Sequence, residues 1–309
     1  MLSRPKKRPP DSARRPAVYR GPAGPLGCHV SIAGGMRLAP ERGRDLGASA
    51  IQVFTRSPRA WAFPPLAAQD VEQFPVQRER QRLAAVVAHA MYLLNLASAD
   101  DRLWRRSIDT FTDEIERCAR LGIDRIVIHP GGAGASTPEQ GLARILAGLT
   151  EVIDRTSGAA VVVLLEITAG TGTQLGHSLK QLAWLIDHHP RPDRLGMCLD
   201  TAHALAAGYP LHEPAGLSRL LDEIDARLGL ARLGCVHLND SLKPFASRVD
   251  RHARIGQGYL GRDFFARLLA EPRLFGIPKI LEVPGGDEAF RDDLRLLARL
   301  ARRASSAGA

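Results

Sequence analysis

The sequence predicts an α/β protein folded as a closed (β/α)8 barrel, and three observations carry that prediction. Eight short apolar segments recur from Cys28 to Leu281, their starts roughly 20 to 45 residues apart. Between them lie longer amphipathic stretches with helical periodicity. Strands alternating with helices wind as right-handed βαβ units, and eight such units close a barrel. Nearly every strand also runs directly into a His, Asp or Glu. In a barrel those C-terminal strand ends converge on one face, where the chemistry is placed.

The chain opens with a segment unlike the rest. Residues 1–26 hold six of the 21 prolines and seven cations (Arg4, Lys6, Lys7, Arg8, Arg14, Arg15, Arg20) against Asp11. Such a stretch buries too little apolar surface to offset the entropy of ordering, so it reads as a disordered basic arm, with an auxiliary nucleic-acid contact as its sharper interpretation. Residues 27–309 are then a single domain. Strands are expected at Cys28–Ile32, Ala50–Phe54, Ala84–Ala88, Arg125–Ile128, Ala160–Leu165, Gly196–Leu199, Gly234–Val236 and Pro278–Leu281, with helices at Asp101–Leu121, Thr137–Arg155 and Glu213–Leu228. An open doubly wound sheet competes at the level of fold. The absence of a G-x-G-x-x-G after the first strand argues against its dinucleotide-binding version.

Of 309 residues, 45% are hydrophobic, enough for a large core. The net charge of +9 sits mainly in the arm, leaving +3 for the other 283 residues. Cys28, Cys118, Cys198 and Cys235 are widely spaced with no C-x-x-C pair, which fits a reducing cytoplasm better than a disulfide scaffold or a thiolate zinc site. No secretory h-region and no apolar run of bilayer length is present, so a cytoplasmic protein without membrane partners is expected.

The third, fourth and fifth strands end at His89, His129 and Glu166, and the sixth, seventh and eighth at Asp200, His237 and Glu282. His203 follows Asp200 in DTAH, and Asp250 and His252 lie in SRVDRH. Each alone has a structural explanation; an Asp after a strand often caps the next helix. Six strand ends in agreement do not. Five imidazoles and four carboxylates without a thiolate suit Zn²⁺ or Mn²⁺, and nine donors exceed the shell of one ion. Two or three ions are implied. Three would outweigh the four carboxylates and attract an anionic phosphodiester, so the site reads as a polynuclear hydrolytic centre.

At these residues the sequence resembles the endonuclease IV family, metal-dependent apurinic/apyrimidinic endonucleases built on a TIM barrel. The resemblance spans Gly27 to about Gly285 in the motifs GCHVSIAGG, FTRSPRAW, HAMYLLNLAS, VIHPGG, LLEITAGTGTQLG, CLDTAHALAAGYPL, HLND, SRVDRHARIGQGYLG and ILEVP. CLDTAHALAAGY together with SRVDRH is the most specific pair. The resemblance implies three zinc ions, with manganese an option at the third. His89, His129 and Glu166 would hold one. Glu166 would bridge to a second, held also by Asp200, His237 and Glu282. His203, Asp250 and His252 would hold the third. Glu166 and Glu282 are the implied catalytic residues, Glu282 doubling as general base. The implied activity is hydrolysis 5′ to abasic sites in double-stranded DNA, leaving a 3′-hydroxyl, together with removal of 3′-blocking groups in base excision repair.

The same resemblance assigns Arg59, Trp61, Tyr92 and Leu93 to contact with DNA at the lesion, where wedges and rings replace lost stacking. Trp61 and Leu93 have rim packing as their plain alternative. Arg248 is a candidate for the DNA phosphate, and His29 is expected to support the ligands without binding metal. His177, His188, His189 and His212 match no ligand position. The chain departs from the family pattern at Ile167, where Asn is usual, at Ala202 where Cys is common, at Leu242 and Lys243, and at Ala246 where Gly is usual. Two rival readings stand beside the hydrolase: a divalent-metal sugar isomerase or epimerase of the same barrel superfamily, and a non-catalytic protein that binds DNA lesions. The first has no use for a third cluster, and the second no need of a bridging carboxylate. A monomer is expected.

Overall fold

The computed structural model describes residues 16–307. Eight parallel strands close a barrel: β1 (Leu26–His29), β2 (Ala50–Phe54), β3 (Ala85–His89), β4 (Arg125–Ile128), β5 (Val162–Glu166), β6 (Leu195–Asp200), β7 (Leu233–His237) and, last in sequence, β10 (Lys279–Leu281), which pairs with both β7 and β1. Two short strands, β8 (Asp240–Ser241) and β9 (His252–Ala253), form an antiparallel ribbon above β7.

Helices follow the strands and cover the barrel. Those needed below are α1 (Ala39–Leu46), α2 (Ala68–Arg80), α3 (Asp101–Leu121), α4 (Pro138–Arg155), α5 (Leu179–Asp187), α6 (Thr201–Ala207), α7 (Gly216–Leu228), α8 (Gly261–Ala270) and α9 (Gly286–Ala307). Their starts are set by local chemistry. The Asp100 carboxylate accepts the N–H of Arg102 at 2.8 Å to cap α3, and Thr137 and Gln140 form a reciprocal capping box on α4. Apolar faces such as Ile108, Phe111 and Ile115 of α3 are wholly buried against the sheet.

The barrel interior is a packed layer of Val87, Val127, Leu164, Cys198, Cys235 and Ile280. Leu164 can fill the axis because Gly196 and Gly234 face it. A Cβ on Gly234 would lie 2.6 Å from Leu164 Cδ2.

The expected strands are all present; β2 and β4 have the expected bounds and the ends of the others shift by up to three residues. The first begins at Leu26 rather than Cys28, because Leu26 pairs with Lys279, and it leaves the sheet before Ser31. The expected arm needs a larger correction. Residues 16–26 are not a free tail: Tyr19, Ala23 and Leu26 are buried, and Lys279 Nζ donates to Ala23 O at 2.6 Å. The apolar residues of this stretch find the underside of the barrel, a partner that local composition does not reveal. Residues 1–15 of the expected arm lie outside the described residues. Among the described residues no helix is long and apolar enough to cross a membrane.

Candidate metal centre

The nine expected ligands come together at the C-terminal end of the barrel. Glu166, at the end of β5, is wholly buried at the centre of the group. Its Oε2 lies 3.1 Å from His129 Nε2 and 3.2 Å from His89 Nε2, and its Oε1 3.1 Å from His237 Nδ1. One donor set therefore comprises His89, His129 and Glu166, and a second Glu166, Asp200, His237 and Glu282, each with its donor atoms within 4.8 Å of one another. Glu166 belongs to both. A third set brings Asp200 to His203 and His252. Asp250 closes it, 3.1 Å from His203 Nε2 and 3.3 Å from His252 Nε2.

Local structure explains how each donor is aimed. Asp200 uses its two oxygens separately: Oδ1 accepts the N–H of His203 at 2.8 Å and caps α6, while Oδ2 faces the cluster. His89 donates from Nδ1 to Ala90 O at 2.7 Å, and His203 from Nδ1 to Ile167 O at 3.1 Å. Both rings thus keep Nε2 as a lone-pair donor toward the cluster. Residue 167 serves His203 through its main-chain carbonyl, which does not depend on its side chain. The loop carrying Asp250 is tied to α6, which carries His203, by Ala246 N to Leu205 O and Arg248 N to Ala206 O, both 3.0 Å. Those bonds hold Ala246 and Arg248 at positive φ, 58° and 54°. A glycine would adopt that conformation without strain.

Electrostatics follow from this packing. Burial would push the Glu166 carboxyl up, but the imidazoles of His237 and His129 hold it well below the usual carboxylate range. Burial opposes charge on His203 too, yet Asp200, Asp250 and Glu166 raise it well above an ordinary imidazole. Burial likewise works against the Asp250 charge, and His203 brings that carboxyl down to about 2.

Two residues that sequence reasoning passed over hold the ligands from behind. Gln52, buried on β2, accepts from His237 Nε2 at 2.8 Å and donates to Glu282 Oε1 at 2.6 Å and to His29 Nδ1 at 3.1 Å. That orientation commits His237 to present Nδ1 to the carboxylates. Asn239 donates to Asp200 Oδ2 at 2.6 Å and accepts the Glu282 N–H at 2.9 Å. An amide at an inward-facing position of an otherwise apolar strand is the signal that could have found Gln52. His29 sits beside Glu282 at 3.7 Å, outside the donor sets. Spacing also hid a pair of thiols: Cys198 and Cys235 are register partners on β6 and β7 and come within 4.8 Å of His237. Burial pushes the Cys198 thiol up, so it stays protonated beneath the site.

A cavity of about 720 Å³ opens above the cluster. Arg59 and Tyr92 line it, with Tyr92 54% exposed, and so do Gln174 and Arg251, which sequence reasoning did not single out. Trp61 and Leu93 pack instead against the core; the Arg106 guanidinium lies 4.5 Å above the Trp61 ring. Arg248 leans on the loop after β5, where a Cβ on Gly170 would meet its guanidinium. Of the four histidines set aside, none enters a donor set among the described residues.

Comparison with known proteins agrees with this geometry. Residues 40–300 match the family model described as "Xylose isomerase-like TIM barrel". The protein named "Probable endonuclease 4" of Trichlorobacter lovleyi is 42% identical over 271 residues, which is 88% of this chain and 96% of that one. Its namesake in Geobacter sulfurreducens is 43% identical over 280 residues, 90% and 95% of the two chains. The chain belongs to the endonuclease IV family. The crystal structure of endonuclease IV from Thermus thermophilus superposes with a TM-score of 0.81 at 38% identity, covering 90% of this chain and 99% of that one. A D-tagatose 3-epimerase-like protein shares the fold at a TM-score of 0.72 but only 18% identity, over 92% and 100% of the chains. The chain is therefore a nuclease of the endonuclease IV family with candidate metal-binding clusters, and the isomerase reading is not favoured.

Proposed function

We propose that this endonuclease IV homologue cleaves double-stranded DNA on the 5′ side of abasic sites, leaving a 3′-hydroxyl, and clears 3′-blocking groups. The observation that carries the reading is Glu166, shared by two donor sets with a third beside it. A monofunctional isomerase site has no use for that third set.

The donors suit three Zn²⁺ ions, with Mn²⁺ an option at the third. Nitrogen and oxygen donors are drawn from opposed strands, each of several rings has its second nitrogen engaged by a carbonyl or amide, and neighbouring imidazoles hold the carboxyls of Glu166 and Glu282 well below the usual range. His89, His129 and Glu166 would hold the first ion, Glu166, Asp200, His237 and Glu282 the second, and His203, Asp250 and His252 the third. Bound there, the metals would supply an activated water at neutral pH and neutralise charge on the displaced oxygen.

The chain's own residues do the rest. Glu282 is anchored through Gln52 and its own N–H, which holds its carboxylate within the second donor set, where it doubles as the base that accepts the proton of the attacking water. Arg59 and Arg251 bring positive charge to the cavity mouth, where phosphates would lie, and the exposed ring of Tyr92 offers a stacking face in place of a missing base. Trp61 and Leu93 support that rim, and Arg248 contacts phosphate at its edge. Incision of an end-labelled duplex carrying one tetrahydrofuran abasic analogue tests the reading, because the analogue excludes β-elimination. A 5′ cut with a 3′-hydroxyl is expected. An intact strand, from protein whose bound metal has been measured, would refute it.

A further inference from the structure

The face opposite the metal centre carries a second cluster of like charge. Residues 16–25 lead into the start of β1, at the N-terminal end of the barrel. Helices α1 and α2 run antiparallel to the strands, so their C-terminal ends reach that face. Main-chain bonds from Ser49 to Leu26 and from Ala84 to Ser49, both 2.8 Å, tie the three strand starts together. Val18, Arg20, Arg44, Arg80, Gln81 and Arg82 line a cavity of about 440 Å³ there. Arg44 donates to Pro16 O at 2.9 Å and Arg20 to Arg82 O at 3.4 Å. Carbonyl partners hold a guanidinium without neutralising it. Among the described residues no carboxylate lines the cavity, although Asp45 and Glu79 neighbour it in sequence. Upstream of Pro16 the sequence adds six cations against Asp11.

We propose that this arginine-lined face is a second nucleic-acid contact, gripping the phosphate backbone of a duplex segment other than the one at the metal centre. The proposal rests on the DNA reading of that centre. Guanidinium forks match phosphate oxygens in pairs, which favours Arg over Lys for this task. A protein partner would require an apolar centre, and among the described residues Val18 is the one apolar side chain lining the cavity. Strands of four to six residues rising about 3.3 Å each put roughly 13–20 Å of barrel between the two faces. A short straight duplex seated over the metals therefore does not reach the arginines. Contact on both faces needs a second duplex or a long, bent one, so the device retains the enzyme on long DNA and adds nothing to chemistry on a short substrate.

The test compares the full-length protein with the quadruple variant R20Q/R44Q/R80Q/R82Q and with a variant lacking residues 1–15. The quadruple variant should lower the salt slope for binding an undamaged duplex of several hundred base pairs by about 3.6, since each of the four phosphate contacts contributes about 0.9. Incision of a short duplex, about 20 base pairs with one tetrahydrofuran site, should change less than twofold. Wild type saturated with that short duplex should capture a second, labelled, lesion-free duplex, and the quadruple variant should do so at least tenfold more weakly. An unchanged slope and undiminished capture in both variants would overturn the proposal, as would preference for polyglutamate over DNA. Failure of wild type to cut the short duplex would instead sink the reading of the metal centre, while the salt slope still decides the fate of the arginines.

Discussion

The two ends of the barrel are finished in opposite ways. At the N-terminal end, cations tucked beneath the sheet are answered by the main chain. Lys279, wholly buried at the start of β10, donates to the carbonyls of Ala23, Leu274 and Ile277 at 2.6, 2.7 and 3.1 Å, and Arg125, which also pairs with the exposed Asp124, reaches Gly234 O at 3.0 Å. At the C-terminal end, imidazoles and carboxylates face one another with donor atoms left over. Both ends are polar. A group satisfied by carbonyls belongs to the architecture, whereas a nest of lone pairs is complete only with cations.

The largest effect that would break this comparison lies at Glu166. Glu166→Gln keeps the shape but removes the charge shared by two donor sets. Incision of the tetrahydrofuran duplex should fall at least about 1,000-fold. Bound metal, counted by elemental analysis, should drop by one ion or more. Unaltered turnover would deny Glu166 its bridging place.

Lys279→Met asks the opposite question. Burial lowers the Lys279 ammonium to about 8, and its removal takes a donor from three carbonyls, of which Leu274 O keeps the N–H of Ile277 at 3.3 Å. Unfolding stability in urea should fall by about 3 kcal/mol, with metal content unchanged. Loss of metal in a variant that still melts cooperatively would contradict the division between the two ends.

Gln52→Leu should sharpen it. His237 and Glu282 stay, but the amide that orients both is gone. Metal release to a chelator should quicken about 10- to 100-fold, with kcat reduced more than KM is raised. Gln52→Glu would not restore it, since a carboxylate there repels Glu282. Unchanged release would reduce Gln52 to filling space.

Glu114 is a useful exception, a carboxyl near the metal end that the main chain holds. It is wholly buried on α3 and accepts the N–H of Met91 at 3.2 Å, just before Tyr92. Burial pushes it up to about 8. Its folded value lies above that of an unfolded glutamate, about 4.3, so the stability it contributes is full below that pH and fades as pH rises toward 8. Glu114→Gln should remove this dependence and gain on the order of 2 kcal/mol relative to wild type between pH 5 and pH 9, read from paired urea melts. Parallel curves would show that the carboxyl titrates normally. The smallest effect belongs to Ala246→Gly. It relieves a residue held at φ 58° and should add roughly 0.5–1 kcal/mol to stability. A loss instead would mean that the cost of freeing the unfolded chain outweighs the strain.

Local pattern makes much of this molecule legible. The strand of β2 at Ala50–Phe54, the helix at Asp101–Leu121 and the polar residue at the end of six strands are all readable, because each depends on periodicity or on residue chemistry within a few positions. Boundaries shift where neighbours decide them, as Leu26 shows by pairing with Lys279 across more than 250 residues. Composition misleads past Pro16 for the same reason: Tyr19 and Ala23 look isolated in sequence and are buried only because the underside of the barrel receives them.

By itself, then, the sequence determined an alternating α/β chain whose strands end in nitrogen and oxygen donors, since backbone propensity and side-chain chemistry are properties of short segments. Only the closed barrel decided which donors meet. Strand order brings β5 between β4 and β6, so Glu166 falls among rings from β3, β4 and β7, and the inward register of β2 and β7 delivers Gln52, Cys235 and His237 to one place. Those meetings are set by long-range pairing and by which residues of each strand point inward, information that no short stretch of chain contains.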